Sequence, residues 1–71
     1  MKTVCLLIVE DDVGELDLER AEEALLAVDG VQVVTIIGKD NCADVECEMF
    51  VDVNDLISAL EDIGLDAREQ D

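Results

Sequence analysis

A chain of 71 residues with 20 acidic and four basic side chains carries a formal charge of −16. That balance excludes phosphate-tracking and nucleic-acid-binding functions, which need clustered Lys and Arg, whereas Lys2, Arg20, Lys39 and Arg68 are scattered. Hydrophobic residues still make up 51% of the chain, too many for a disordered acidic segment and enough for one small domain, 1–71, that buries roughly 60% of its unfolded surface.

Residues 3–9, TVCLLIV, are apolar and β-branched and too few for a helix, so they predict a strand that Glu10, Asp11 and Asp12 stop. Asp12 followed by Glu15 has capping-box spacing and predicts a helix from about Val13 to Val28. Leu18, Ala21, Leu25 and Val28 would form its inward stripe, and Asp29-Gly30 would end it. Residues 31–37, VQVVTII, predict the second strand, and Gly38-Lys39-Asp40-Asn41 the turn after it. From Ala43 to Met49 the pattern alternates. Ala43, Val45, Cys47 and Met49 would face one way and Asp44, Glu46 and Glu48 the other, as on a half-buried hairpin strand. Asp52 or Asn54 caps a second helix over about Val53 to Ile63, with Leu56, Leu60 and Ile63 inward and Gly64 closing it. Leu65 to Glu69 predicts a short last strand.

The order β-α-β-β-α-β, with right-handed crossovers, predicts an α+β, ferredoxin-like sandwich. Its four-stranded antiparallel sheet carries both helices on one face. Strands one and three are central and the other sheet face is open.

Residues 21–31, AEEALLAVDGV, and 55–67, DLISALEDIGLDA, resemble two stretches of the heavy-metal-associated domains. That family comprises small soft-metal carriers and the metal-binding modules of copper and cadmium/zinc transport ATPases. The resemblance spans nearly the whole chain and implies the same fold. It departs at the family's Gly-Met-x-Cys-x-x-Cys loop, whose two cysteines would fall at Gly14 and Asp17. Residues 11–17, DDVGELD, replace the motif, so the family's metal-carrier chemistry does not transfer to this loop.

Two kinds of metal site are conceivable in its place. Asp11, Asp12, Glu15 and Asp17 offer oxygen ligands for a hard cation, but the spacing of a dedicated calcium loop is lacking. The simpler reading is that these acids cap and flank the positive start of the helix. Cys5, Cys42 and Cys47 offer sulfur for a soft ion. Alternation turns Cys5 outward and Cys47 inward, and a strand beginning at Cys42 would turn Cys42 and Cys47 to opposite faces. There is no His to complete a zinc site, and no resident cofactor is expected.

Catalysis has little to stand on. His, Tyr and Trp are lacking, and no Gly-rich phosphate loop is present. Without an apparent activating base, Cys5 is the strongest candidate for a reactive thiol. Leu7, Val9, Val33 and Ile37 would form apolar stripes on the open sheet face, available to a protein partner or a homodimer, although an acidic row from Asp44, Glu46 and Glu48 would lie between them. The leading expectation is a noncatalytic acidic domain acting through protein contacts. A soft-metal carrier using Cys5, Cys42 or Cys47, and a small thiol redox protein, are the alternatives.

No apolar run approaches the ~18 residues of a membrane-spanning helix. No cleavable leader pattern is present, and three cysteines without disulfide-framework spacing fit a cytoplasmic setting. The acidic surface resembles that of proteins from salt-accumulating halophiles. Charge self-repulsion opposes the compact state and is screened over about 3 Å at ~1 M salt. Circular dichroism should therefore show a higher melting temperature in ~2 M than in ~0.05 M KCl; equal melting curves would contradict a salt requirement.

Overall fold

Alternation along β1 (Lys2–Ile8) divides the molecule. Val4, Leu6 and Ile8 are buried, while Cys5 and Leu7 between them are only half-buried. A computed structural model describes residues 1–9 and 14–70. After β1 come α1 (Glu15–Leu26), β2 (Val31–Ile37), a short 3-10 turn (Gly38–Asp40), β3 (Cys42–Cys47), α2 (Val53–Glu61) and β4 (Ala67–Glu69). The strands form one antiparallel sheet in the order β2-β3-β1-β4, which is the predicted ferredoxin-like plan with β1 and β3 central.

The core lies on one side of this sheet. Leu6, Val45 and Cys47 meet Ala21 and Leu25 of α1 and Leu56 and Leu60 of α2. Fully burying each of the leucines contributes about 1.5–3 kcal/mol, so the helix stripes at three- and four-residue spacing hold the helices down. Leu18 completes the α1 stripe as a partly buried neighbour, and Val28 packs against the same core from the turn after the helix.

Element ends differ from expectation: β1 is shifted by one residue, α1 ends at Leu26 instead of Val28, and β4 begins at Ala67 instead of Leu65. Gly14, not Asp12, is the N-cap of α1. Its N–H donates to Asp17 Oδ2 at 3.2 Å, and its carbonyl accepts from the Asp17 and Leu18 N–H groups. A glycine has no side chain with which to cap, so Asp17 alone supplies the side-chain half of the arrangement; Asp12 lies outside the described residues. β3 ends at Cys47, because the chain turns there, and Met49 is 66% exposed rather than inward. α2 ends at Glu61, so Ile63 falls in the following turn and is exposed. The Asp52 cap is as expected, its carboxylate accepting from the Asn54 N–H at 2.9 Å.

The α1–β2 turn depends on Gly30. Its φ is +95°, and a Cβ there would lie 2.6 Å from Val51 Cγ2 and 2.8 Å from Phe50 Cζ. Gly64 also has positive φ, +84°, but open space around it. Gly64→Ala should cost only the strained backbone, about 1–3 kcal/mol. Gly30→Ala adds a steric clash and should lower unfolding stability clearly more in a denaturant titration.

Candidate functional site

The open sheet face collects what the core excludes. In the β1–β3 ladder Cys5 stands opposite Asp44, and Leu7 opposite Cys42. In the β2–β3 ladder Thr35 stands opposite Asp44, and Ile37 opposite Cys42. Directly opposed residues share a face, so Cys5, Leu7, Cys42, Asp44, Thr35 and Ile37 all point away from the helices. Cys5, Leu7, Ile37, Cys42 and Asp44, with Asp40 and Gln70, line one shallow hollow. It sits at the sheet end where the Ile8 N–H donates to the Asn41 carbonyl at 2.8 Å.

Gln70 lines the hollow beside its sulfurs. The Gln70 N–H donates to the Cys5 carbonyl at 2.8 Å, carrying the ladder one residue past β4. Its side-chain Oε1 then lies 3.7 Å from Cys5 Sγ and 3.1 Å from Cys42 Sγ. Cys42 Sγ is also 3.3 Å from the Asp40 carbonyl oxygen, and its residue is only 6% exposed. Two thiols from separate strands thus converge on one amide oxygen.

The surroundings of Cys5 disfavour its anion. A hydrogen bond to the Asp44 side chain, then burial, then the charges of Asp44 and Cys42 push its pKa from an ordinary 9.0 up to about 11. A reactive cysteine needs the opposite setting, a cation or base that favours thiolate. Cys47 takes no part: it is fully buried in the core on the other side of the sheet.

Of the acidic residues expected near the α1 start, Asp17 is occupied as the cap of Gly14; Asp11 and Asp12 lie outside the described residues. Among the described residues no three His, Cys, Asp or Glu side chains converge as a ligand set. The apolar positions Val9, Val33 and Ile37 are exposed and Leu7 is half-buried. Glu46 stands opposite Val33, so acid and apolar groups interleave on this face. Arg68 of the edge strand stands opposite Leu7. No helix among the described residues is long and apolar enough to cross a membrane.

Alternation alone puts Cys5 and Cys47 on opposite faces and Asp44 on the open face with the acidic row, but it does not bring Cys5 to Cys42 or to Asp44, and it gives no sign of Gln70. The alternation of β1 and β3 carried half of that signal. The pairing offset between the strands carried the rest and is visible only in the ladder.

No protein-family model matches the chain, and no curated protein does. Solved structures do match. A copper-binding domain from HMA7, a P-type ATPase, superposes with a TM-score of 0.90 at 24% identity, covering 100% of this chain and 96% of that one. The yeast copper transporter domain Ccc2a gives 0.89 at 20% identity over 100% and 97%. The CopZ metallochaperone gives 0.82 at 24% identity over 94% and 100%. At these identities the likeness establishes a shared ferredoxin-like fold and nothing further.

With its pKa two units above the ordinary value, Cys5 should hold about 100-fold less thiolate at pH 8 than a free thiol. Iodoacetamide should label it correspondingly slowly, with a rate that climbs about tenfold per pH unit up to about pH 10. Asp44→Ala removes both the hydrogen bond, which is the largest cause of the shift, and the Asp44 charge, and should speed labelling.

Proposed function

We propose that the chain is a noncatalytic soft-metal-binding domain whose cargo is a two-coordinate ion of the Cu(I) class, held between Cys5 and Cys42. The observation that carries this reading is the convergence of both sulfurs on Gln70 Oε1 in one open hollow. Sulfur donors select soft ions, and a pair of thiols without a third convergent ligand suits an ion that needs only two. Structural neighbours named for copper binding and copper transport lend support through their fold.

The ligand position differs from that expected of the fold. At the loop, Gly14 has no ligand atom and the Asp17 carboxylate is engaged by the helix start. Neither fits a soft ion. The Cys5–Cys42 pair lies on the open face of the sheet, with Cys5 midway along β1 and Cys42 opposite Leu7. Binding there expels the proton that Asp44 helps Cys5 retain, so apparent affinity rises with pH, about tenfold per unit for each proton displaced. The net charge of −16 favours any approaching cation.

Native mass spectrometry of reduced protein with stoichiometric Cu(I), in competition with a Cu(I) chelator, tests this. One ion per chain should be retained. Cys5→Ser and Cys42→Ser should each weaken binding by more than the 10–100-fold loss typical of an outer-shell partner, while Cys47→Ala should retain the ion. Failure of the unaltered chain to hold the ion would overturn the proposal. A domain acting through protein contacts would then be the better reading, favoured by the exposure of Val33, 46%, on the same face.

A further inference from the structure

We infer that the Cys5–Cys42 pair is a clasp for an ion and not for a disulfide, so that it stays reduced in the folded protein under oxidants that close ordinary dithiols. The inference rests on the reading of this pair as the metal clasp, but its geometry is independent of any ion. Cys5 is opposite Asp44 and Cys42 is opposite Leu7. The two cysteines are therefore diagonal neighbours across adjacent antiparallel strands. Diagonal α-carbons in such a ladder stand about 7–8 Å apart, with the β-carbons somewhat closer. A disulfide needs Cα atoms within about 6.8 Å and Cβ atoms at about 3.5–4.5 Å.

β1 and β3 are the two central strands, each held by a neighbour on both sides. They cannot shift toward one another without disturbing ladders on either flank. An ion changes the reach required. Two metal–sulfur bonds of about 2.3 Å hold the sulfurs at up to roughly twice the ~2.05 Å of an S–S bond. Sulfurs gathered around one amide oxygen, as Gln70 gathers these, are placed for the longer bridge. Oxidation would break two S–H bonds, form one S–S bond and pass two electrons to an oxidant such as oxidised glutathione, which would depart as two thiols. The strand spacing opposes the bond-forming step.

The test uses the full chain without metal, equilibrated with a glutathione redox buffer and mapped by peptide mass. The same chain in denaturant, where no ladder constrains it, shows what the oxidant achieves. The folded chain should carry at least about tenfold less Cys5–Cys42 crosslink than the unfolded one. A second variant, Cys42→Ser with Asp44→Cys, moves the partner thiol directly opposite Cys5, where α-carbons lie about 4.5–5.5 Å apart, inside the range a disulfide spans, and should crosslink in the folded state. Equal Cys5–Cys42 crosslinking in folded and unfolded wild-type chain would overturn the inference, as would failure of the directly opposed pair to close. Neither result bears on whether the unaltered pair holds Cu(I), so this inference and the proposed function fail separately.

Discussion

A sheet covered on one side only sorts every residue of its central strands into two sets, and this sorting governs both the stability and the chemistry of the chain. Val4, Leu6 and Ile8 of β1 and Ala43, Val45 and Cys47 of β3 go to the helices. Cys5, Leu7, Cys42 and Asp44 go to the open face as a consequence. Exchanging the sets would bury Asp44 and a thiol pair while exposing Val4, Leu6, Ile8, Ala43 and Val45 together with Cys47. The hydrophobic core therefore fixes the register, and the register fixes which two sulfurs meet.

Much of the fold was legible because this sorting is written as period-two and helical spacing. β2 begins and ends at Val31 and Ile37 as read, and the Asp52 cap and the positive φ of Gly30 and Gly64 follow from residue chemistry. The misreadings arose where two local signals competed. Asp12 and Glu15 have capping spacing, but so do Gly14 and Asp17, and the second pair forms the observed cap. Alternation continues to Met49 in the sequence, yet the turn after Cys47 releases it. Periodicity reports what would be buried if an element continued; it does not say where the element stops.

The site was less legible for a physical reason. The facing of each cysteine follows from its own strand, so Cys47 could be assigned to the core and Cys5 to the open face. Proximity between Cys5 and Cys42 depends on the offset between β1 and β3, a nonlocal quantity set by the packing of the whole sheet. Gln70 is harder still. It lies past a three-residue edge strand, and only its backbone bond to Cys5 places its amide beside the sulfurs. The loop that the sequence singled out contributes instead, through Asp17, to the start of α1.

Electrostatics decide what such a thiol pair is suited to. The carboxylate of Asp44 beside Cys5 makes a bare thiolate unfavourable, as its raised pKa records. Nucleophilic chemistry needs that bare thiolate and is penalised in proportion. Neutralisation of the thiolate is rewarded, whether by a proton or by a metal cation, because either relieves the repulsion from Asp44. A fold is compatible with many functions and the site selects among them. Here the acidic neighbour that suppresses reactivity at Cys5 is the same group that favours a cation resting on its sulfur. A proton satisfies Cys5 for that reason, and any cation seated on its sulfur would have to displace that proton.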